Sequence, residues 1–274
     1  MTTAGQRDLA GVAHWDELWA AGSIQTPANP RDHTRGNLVK VRFDRLFRET
    51  FAVVETRGKA LIEVGAARSV WLPYFAREFG FTVCGLDYSE IGCEQERQIL
   101  ARAGIDGRVV HGDLFMPPPD ILGAFDVACS FGVVEHFRDT AAAVAAVARL
   151  VRPGGLVFTE VPNMAGACGW LARWLNRANF DVHVALDAGR LRAAHEAGGL
   201  EVVRSDYFLG HYIGIVPSPP ADTSAGRMAA RALRLANYAD VLLRVAGDRT
   251  GLHLPATRWA APYVVCIARV PAVS

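Results

Sequence analysis

Two acidic residues stand at the ends of short apolar runs in the first third of the chain. Glu63 lies just before a glycine, Gly65, and Asp87 follows about twenty residues later. A carboxylate at this distance from a glycine turn can accept hydrogen bonds from both hydroxyls of a ribose. The small residues Gly65 and Ala67 let a ligand approach the backbone and the N-terminus of the next helix. The pattern predicts a nucleoside-type cofactor, and an ordinary turn with a surface aspartate is the alternative.

The residues around this turn also indicate the charge of the ligand. Dinucleotides favour Gly-x-Gly-x-x-Gly because their pyrophosphate needs backbone N–H groups at close range, and only Gly65 of that pattern is present. The carboxylate of Glu63 opposes a pyrophosphate and suits a cation. We therefore expect S-adenosylmethionine, whose sulfonium and ammonium groups are positive, and a nicotinamide dinucleotide is the alternative.

Strand-like and helix-like segments alternate through the chain, and this alternation must position the acidic residues. Short apolar runs are separated by segments that carry apolar residues at helical spacing. Repeated units of this kind predict a doubly wound α/β fold, with helices on both faces of a parallel sheet. The predicted helices include 70–79, 140–151 and 187–198, and the predicted strands are 60–65, 81–87, 108–113, 125–131, 156–161, 200–208 and 263–269.

Three segments lie outside this alternating core. Residues 1–56 contain two helix-like stretches around a loop rich in proline, asparagine and glycine, and we expect them to form a helical lid or extension. Residues 57–274 would form the main domain, with insertions at about 164–186 and 210–257. Insertions at the rim of such a sheet are where specificity is usually built.

Several short stretches follow one another in an order that is typical of one family. They are Glu63-Val-Gly65, 71–75, 85–89, 112–114, 130–137 and 151–155. The series resembles the class I S-adenosylmethionine-dependent methyltransferases that act on small molecules. The resemblance covers roughly 58–163 and, more loosely, 200–209 and 258–270, and it departs from the usual pattern at Ala67 and Ser69, where glycine is common. It implies a seven-stranded, mostly parallel sheet whose last strand is antiparallel.

The resemblance also implies a role for nine residues around the cofactor. Core packing is the alternative for Leu114 and Phe131, and docking of a helix on the sheet is the alternative for Trp15. The family pattern places Glu63 and Gly65 at the methionine end, Ala67 beside the cofactor, Asp87 on the ribose, Tyr88, Asp113 and Leu114 around the adenine, Phe131 near the sulfur, and Trp15 over the cofactor on a short helical lid.

A base is needed only if the acceptor must lose a proton. Methyl transfer itself requires an aligned acceptor and the exclusion of water, and an acceptor that carries a proton also requires a group to remove it. Glu135 and His136 are the candidate catalytic pair, with a structural histidine as the alternative for His136. Some related enzymes bind Mg²⁺ through Glu-x-x-Glu-His at this place, but the first position here is Gly132, so we predict no metal.

Residues outside the core are the candidates for binding the acceptor. The loop around His33 carries two arginines that could meet a carboxylate or phosphate. Aromatic residues at helical spacing predict a flap that shapes an apolar acceptor site. The candidates are His33, Trp170, Trp174, His183 and His211.

Composition limits the function further. Apolar residues make up 51% of the 274 residues and the net charge is +1, which excludes a disordered chain and gives no support to nucleic-acid binding. The five cysteines form no metal-ligand pattern, and no signal peptide is found, so a reducing cytoplasm is expected. No stretch is long and apolar enough to span a membrane. A basic amphipathic helix at about 227–245 could touch an anionic surface, although we expect it to face solvent.

These patterns together predict a cytoplasmic enzyme that methylates an oxygen or nitrogen of a small-molecule acceptor. The high alanine and arginine content suggests natural-product or glycan tailoring in a bacterium with a GC-rich genome. No nucleic-acid partner and no stable membrane insertion are expected, and the oligomeric state is open. The alternatives are a nicotinamide-dependent oxidoreductase, a non-catalytic S-adenosylmethionine-binding protein, and an enzyme of another reaction type that uses the sulfonium only as a fixed charge.

Overall fold

A computed structural model describes residues 8–22, 24–52 and 54–272, and a seven-stranded sheet lies at its centre. The strands are β1 (Ala60–Val64), β2 (Thr82–Asp87), β3 (Gly107–His111), β4 (Phe125–Phe131), β5 (Val151–Pro162), β6 (Glu201–Phe208) and β7 (Tyr263–Arg269). Their order is β3-β2-β1-β4-β5-β7-β6. β7 runs antiparallel to both neighbours, and the other pairs are parallel. The predicted α/β fold with an antiparallel last strand is confirmed.

Helices of the described residues surround this sheet. Each predicted strand overlaps an observed one, and the helices fall between the strands as the alternation predicts. They are α1 (Val12–Ala21), α2 (Leu38–Phe51), α3 (Leu72–Phe79), α4 (Glu90–Ala103), α5 (Thr140–Ala148), α6 (Ala167–Leu175), α7 (Arg177–Asp181), α8 (Ala188–Ala197) and α9 (Ser224–Thr250).

Among the helices with predicted bounds, α3 and α5 differ most from the prediction at any one end, and both are shorter. α3 begins at Leu72 because the hydroxyl of Ser69 accepts hydrogen bonds from the backbone N–H groups of Trp71 and Leu72. α5 ends at Ala148 because Val151 already belongs to β5. Both differences are local and leave the C-terminal ends of the strands, where ligands bind in such sheets, in their expected places.

The segment before the sheet contributes to its core. α2 buries Phe43, Phe47 and Phe51 on one face of the sheet, and the ring of Phe47 lies 5.2 Å from that of Phe158 in β5. Burying one large apolar side chain stabilises a fold by about 2 kcal/mol. α2 is therefore a structural helix of the sheet, while the division of the chain after residue 56 stays a prediction.

The five cysteine thiols are all free and buried. Cys84, Cys129 and Cys266 lie in strands of the sheet. Burial raises the pKa of the Cys84 and Cys93 thiols to about 11. Because the thiolate is the reactive form, these cysteines are poor nucleophiles at neutral pH.

The last helix, α9, is largely exposed along its length. Met228, Leu235 and Leu242, which the sequence places on one apolar stripe, are 67%, 73% and 46% exposed. The arginines on an adjacent face of this helix, Arg227, Arg231 and Arg234, are exposed as well. In the described part of the chain, no helix combines the length and apolarity needed to cross a bilayer.

Candidate cofactor site and catalytic residues

A cavity of about 560 Å³ opens beside the C-terminal ends of β1, β2 and β4. It runs along the turns that follow these strands and reaches α1. Cavities of several hundred cubic ångströms commonly hold small-molecule ligands and cofactors. All nine residues that were predicted to bind the cofactor line it: Trp15, Glu63, Gly65, Ala67, Asp87, Tyr88, Asp113, Leu114 and Phe131.

The turn after β1 requires a glycine at its first position. Gly65 has a φ of 74°, and a Cβ added there would lie 2.4 Å from Cγ2 of Val133. Only glycine adopts this conformation without a steric cost. The backbone N–H groups of Gly65 and Ala66 donate to the carbonyl of Leu86 in β2 at 2.9 and 3.3 Å. These bonds hold the turn against the neighbouring strand as one wall of the cavity.

Asp87 is fixed by backbone amides on two sides. Its Oδ2 accepts from the N–H of Ala67 at 3.0 Å, and its Oδ1 accepts from the N–H of Ser89 at 2.8 Å. Burial raises the pKa of Asp87, while the amide hydrogen bonds oppose that rise. Each carboxylate oxygen can accept a further hydrogen bond, so the side chain is able to receive hydroxyls of a ligand in the cavity.

Glu63 is a buried acid beside the same turn. Its Oε2 accepts a hydrogen bond of 2.6 Å from the hydroxyl of Ser69. Burial raises the pKa of Glu63 to about 8, with a smaller contribution from the charge of Asp87. A cation bound next to it would favour the carboxylate form and lower that pKa. The electrostatics of this end of the cavity therefore suit a positively charged ligand.

Residues 8–22 cover one side of the cavity. Asp8 accepts hydrogen bonds from the indole N–H of Trp15, at 2.5 Å, and from the hydroxyl of Tyr88. Trp15 stacks on Trp19 with ring centroids 5.9 Å apart. α1 itself has no buried residue. The segment is attached both by these side chains and by the backbone, since the N–H of Leu9 donates to the carbonyl of His136 at 2.9 Å. Its role as a lid stays a prediction.

Glu135, His136 and His183 form a cluster beside the cavity. One potential ligand atom of each lies within 4.8 Å of the others. Nδ1 of His136 lies 2.7 Å from the carbonyl oxygen of Val182, and Nδ1 of His183 lies 2.7 Å from that of Asn179. Because a carbonyl only accepts hydrogen bonds, Nδ1 is the protonated nitrogen in each neutral ring. Nε2 of each ring is then left as the basic nitrogen.

The three members of this cluster differ in access and protonation. His136 lines the cavity, whereas Glu135 does not. Burial raises the pKa of Glu135 to about 7 and lowers the pKa of His183 to about 4. A carboxylate and two imidazoles can hold a divalent cation, and the expected lack of a metal stays a prediction.

Two histidines predicted to bind the acceptor lie away from this cavity. Nδ1 of His33 is 2.9 Å from a carboxylate oxygen of Asp248, and Nδ1 of His211 is 2.6 Å from one of Asp240. Both carboxylates belong to α9. These histidines connect α9 to other parts of the chain, and a role in binding the acceptor stays a prediction.

The two tryptophans of the predicted flap do not line this cavity, and their contact with the acceptor stays a prediction. Trp170 and Trp174 lie on α6 and are 54% and 74% exposed. The reason is that α6 turns its smaller residues inward, among them Cys168 and Ala172. The insertion instead contributes His183, whose ring centroid is 4.5 Å from that of His136.

Two charged residues of the cavity were not predicted. Asp8 lies in an N-terminal stretch without apolar periodicity, so the sequence gives no signal for it. Arg68 follows Ala67 in the turn after β1 and lines the cavity. The available signal is a basic residue in a turn made otherwise of small residues.

The cavity fits S-adenosylmethionine by size and by charge. The buried acids Glu63 and Asp87 suit a cationic group and a ribose. Leu114 and Phe131 supply apolar wall on which a flat base or an apolar chain can pack. The turn lacks the further glycines that a pyrophosphate requires.

Comparison with known proteins agrees with this geometry. A ubiquinone biosynthesis O-methyltransferase from Brucella anthropi is 28% identical over 79% of this chain and 89% of its own length. Another, from Thiobacillus denitrificans, is 35% identical over 40% of this chain and 49% of its own. A geranyl diphosphate C-methyltransferase structure from Streptomyces coelicolor A3(2) has a TM-score of 0.57 at 13% identity, covering 98% of this chain and 99% of that one. Residues 33–205 match the family model of a methyltransferase domain, and the chain therefore belongs to the S-adenosylmethionine-dependent methyltransferases.

Proposed function

We propose that this methyltransferase transfers the methyl group to a hydroxyl oxygen of a small molecule, and that His136 accepts the hydroxyl proton. The observation that carries the proposal is the position of His136. This histidine lines the cofactor cavity and keeps Nε2 as its basic nitrogen. S-adenosylmethionine, when bound, supplies a methyl group on a positively charged sulfur, which is already activated for in-line displacement.

The surroundings of His136 orient its ring. The carbonyl of Val182 fixes the proton on Nδ1, and the ring of Trp15 packs edge-on with centroids 4.9 Å apart. Nε2 lies 3.9 Å from a carboxyl oxygen of Glu135. That carboxyl, once ionised, would stabilise the imidazolium that forms when His136 takes a proton. Glu135 therefore acts through His136, since it does not line the cavity itself.

The neighbouring histidine is suited to a supporting role. A pKa of about 4 keeps His183 neutral at pH 7, so it places no second positive charge next to His136. A like charge there would disfavour protonation of His136. His183 is thus a polar wall beside the base.

The nature of the acceptor is supported by the relatives and by composition. The curated relatives named above are O-methyltransferases of ubiquinone biosynthesis, which favours oxygen over nitrogen. A net charge of +1 gives no long-range attraction for nucleic acid. A cytoplasmic location, with a role in natural-product or glycan tailoring, is the setting that we propose for this reaction.

The proposal is tested by incubating the protein with S-adenosylmethionine and a panel of phenols, catechols, aliphatic alcohols and amines. We expect mass spectrometry to find a methylated hydroxyl product. His136→Gln should lower kcat by roughly 100-fold, the usual scale for loss of a general base, while the Kd for S-adenosylhomocysteine stays within about twofold. His253→Gln is the matched control, because His253 is exposed, does not line the cavity and is not a candidate for binding the acceptor. Exclusive methylation of amines, or an unchanged kcat in His136→Gln, would refute the proposal.

A further inference from the structure

Arg68 occupies an unusual backbone position in the turn after β1. Its φ is 57°, in the left-handed region that is sterically unfavourable for a residue with a side chain. Residues kept in such conformations cluster at ligand sites, where another interaction compensates for the strain. Arg68 lines the cofactor cavity, so its side chain is the place to look for that interaction.

The guanidinium of Arg68 lacks an acceptor within the described ranges. Its Nε is buried and has no hydrogen-bond partner there, and no ion pair joins it to a described carboxylate. One face of the guanidinium stacks on Trp19 of α1, 5.4 Å from the ring centroid. A buried donor without a partner is costly. The guanidinium lies beside Trp19 and Gly22 at the end of α1, and Arg68 is a lining residue of the cavity.

No ion pair joins Arg68 to an acid of the cavity among the described residues. The recorded hydrogen bonds to these acids come from other groups: to Asp8 from Trp15, to Glu63 from Ser69, to Asp87 from Ala67, and to Asp113 from the N–H of Phe115. Arg68 is the one arginine or lysine among the described cavity residues. The cavity therefore offers a single guanidinium to an anionic group of its ligand.

The nearest backbone donors are also occupied. Anions often bind at the N-terminus of a helix, but at α3 the hydroxyl of Ser69 accepts from the N–H groups of Trp71 and Leu72 at 2.9 and 3.1 Å. A carboxylate that enters this end of the cavity, next to Glu63, finds those two donors already occupied. Arg68 is adjacent in the chain and presents a planar fork that matches a carboxylate.

We propose that Arg68 binds the carboxylate of the amino-acid portion of the cofactor. The assignment follows from S-adenosylmethionine as the cofactor, because its amino-acid portion carries both an ammonium and a carboxylate. Glu63 would face the ammonium and Arg68 the carboxylate, so the two residues together recognise a free amino acid at this end. Trp19 stacks on the same guanidinium and thereby connects α1 to the bound ligand.

Calorimetry with two ligands tests this role. S-adenosylhomocysteine has the amino-acid portion, whereas 5′-methylthioadenosine keeps the nucleoside and thioether but lacks it. Arg68→Gly removes the guanidinium and relieves the strained φ, so the variant should fold at least as well as the parent. We expect Arg68→Gly to weaken S-adenosylhomocysteine binding roughly 30-fold or more, with 5′-methylthioadenosine changed less than about twofold, on the scale of a charge-assisted hydrogen-bond pair. Arg68→Lys should recover part of the affinity because it restores the charge without the fork.

The controls separate the possible failures. Arg102→Gln, an exposed arginine near the end of α4, should leave both affinities unchanged. Equal weakening of the two ligands by Arg68→Gly would show that Arg68 only shapes the turn, and unchanged affinities would show no role in binding. If the parent protein binds 5′-methylthioadenosine but not S-adenosylhomocysteine, the carboxylate site does not exist. If the parent binds neither, the cofactor assignment itself fails and this inference fails with it.

Discussion

Buried acids have different partners in two regions of the molecule: the ends of β1 and β2, and the second insertion. At the strand ends, Glu63 and Asp87 lie beside a cavity and are held by hydrogen bonds to the adjoining turns. In the second insertion, Asp240 is buried away from that cavity, with Arg244 as its ionic partner and Nδ1 of His211 within hydrogen-bond distance. The acids of the first region have no ion-pair partner among the described residues, whereas Arg244 neutralises Asp240 within the protein. Burial alone therefore does not distinguish a carboxylate that is a candidate for ligand binding from one that is paired within the protein; the partners of the carboxylate do.

The largest effect is expected from removal of the ribose-side acid. Asp87→Ala should weaken S-adenosylhomocysteine roughly 100-fold, because two amide hydrogen bonds that order the site and those to the ligand are lost, each contributing about 1–2 kcal/mol. Calorimetry measures the affinity. Asp106→Ala, at an exposed position before β3, is the control and should bind normally. An affinity within threefold of the parent protein would remove Asp87 from the site.

The glycine at the first turn should be nearly as sensitive. Gly65→Ala adds a Cβ 2.4 Å from the Val133 methyl, whereas Gly123→Ala shares a positive φ and meets nothing within 4 Å. Both variants are destabilised by the left-handed conformation. Gly65→Ala should lower the free energy of unfolding by about 2 kcal/mol more, because its Cβ overpacks the site. Urea unfolding measures the two free energies. Adding Val133→Ala to Gly65→Ala should recover much of the difference; equal destabilisation of the two glycine variants would contradict the packing argument.

Glu96 of α4 and Asp240 of α9 are both buried, and we expect removal of their charges to change the stability of the protein in opposite directions. Both carboxyl oxygens of Glu96 are buried without a partner among the described residues, and burial, with the charge of Glu63, raises the pKa of Glu96 to about 9. The folded protein therefore binds more protons than the unfolded chain between about pH 4.5 and 9, and this group makes stability fall as pH rises. Glu96→Gln should be nearly neutral at pH 5 and stabilising at pH 9.

Asp240→Asn should instead destabilise the protein at pH 7, since it leaves Arg244 without its ionic partner. Thermal unfolding at the two pH values measures the Glu96 response, and Glu94→Gln, an exposed neighbour on α4, provides its control. A Glu96→Gln variant less stable than the parent at pH 9 would mean that the carboxyl has a partner in solution.

The smallest effect is expected at the exposed aromatic residues of the first insertion. Trp174 is 74% exposed and does not line the cavity, so Trp174→Ala should change the free energy of unfolding by less than about 0.5 kcal/mol. The affinity for S-adenosylhomocysteine should also stay constant. A change in KM for the acceptor alone would show that the tryptophan contacts the acceptor, which the sequence prediction requires. A loss of cofactor affinity in Trp174→Ala would show that the first insertion also affects the cofactor site, contrary to this expectation.

The sequence was sufficient where one strand and its turn contain the whole signal. The strands, the glycine turn and the acids at the strand ends all follow from local pattern, because the carboxyl ends of parallel strands meet at one edge of a sheet. The contact of His183 with His136 could not be foreseen, since it depends on how the first insertion folds back. Asp8 is a similar case: its partner Tyr88 lies 80 positions away in the chain.

The sequence also does not determine which side of α6 faces the rest of the protein. The periodicity of α6 gives an aromatic side and a small-residue side, and both patterns can pack inward. The structure turns Ala172 inward and Trp174 outward, which close packing of the helix backbone explains and composition does not. The packing of α2 on the sheet likewise does not follow from its sequence, because the aromatic face of a helix has the same pattern whether it covers a ligand or a sheet.

Because all five cysteine thiols are buried, the rate at which they react with a thiol reagent reports local opening of the protein. A thiol reagent added to the native protein has no exposed target, so modification must wait for a fluctuation that uncovers the sheet. Cys93 lies near the start of α4 and its Sγ contacts the carbonyl of Asp87, so its labelling rate follows the region where the nucleoside is expected. Ligand-dependent slowing of labelling at this one cysteine, against constant rates elsewhere, would measure how far binding rigidifies the protein.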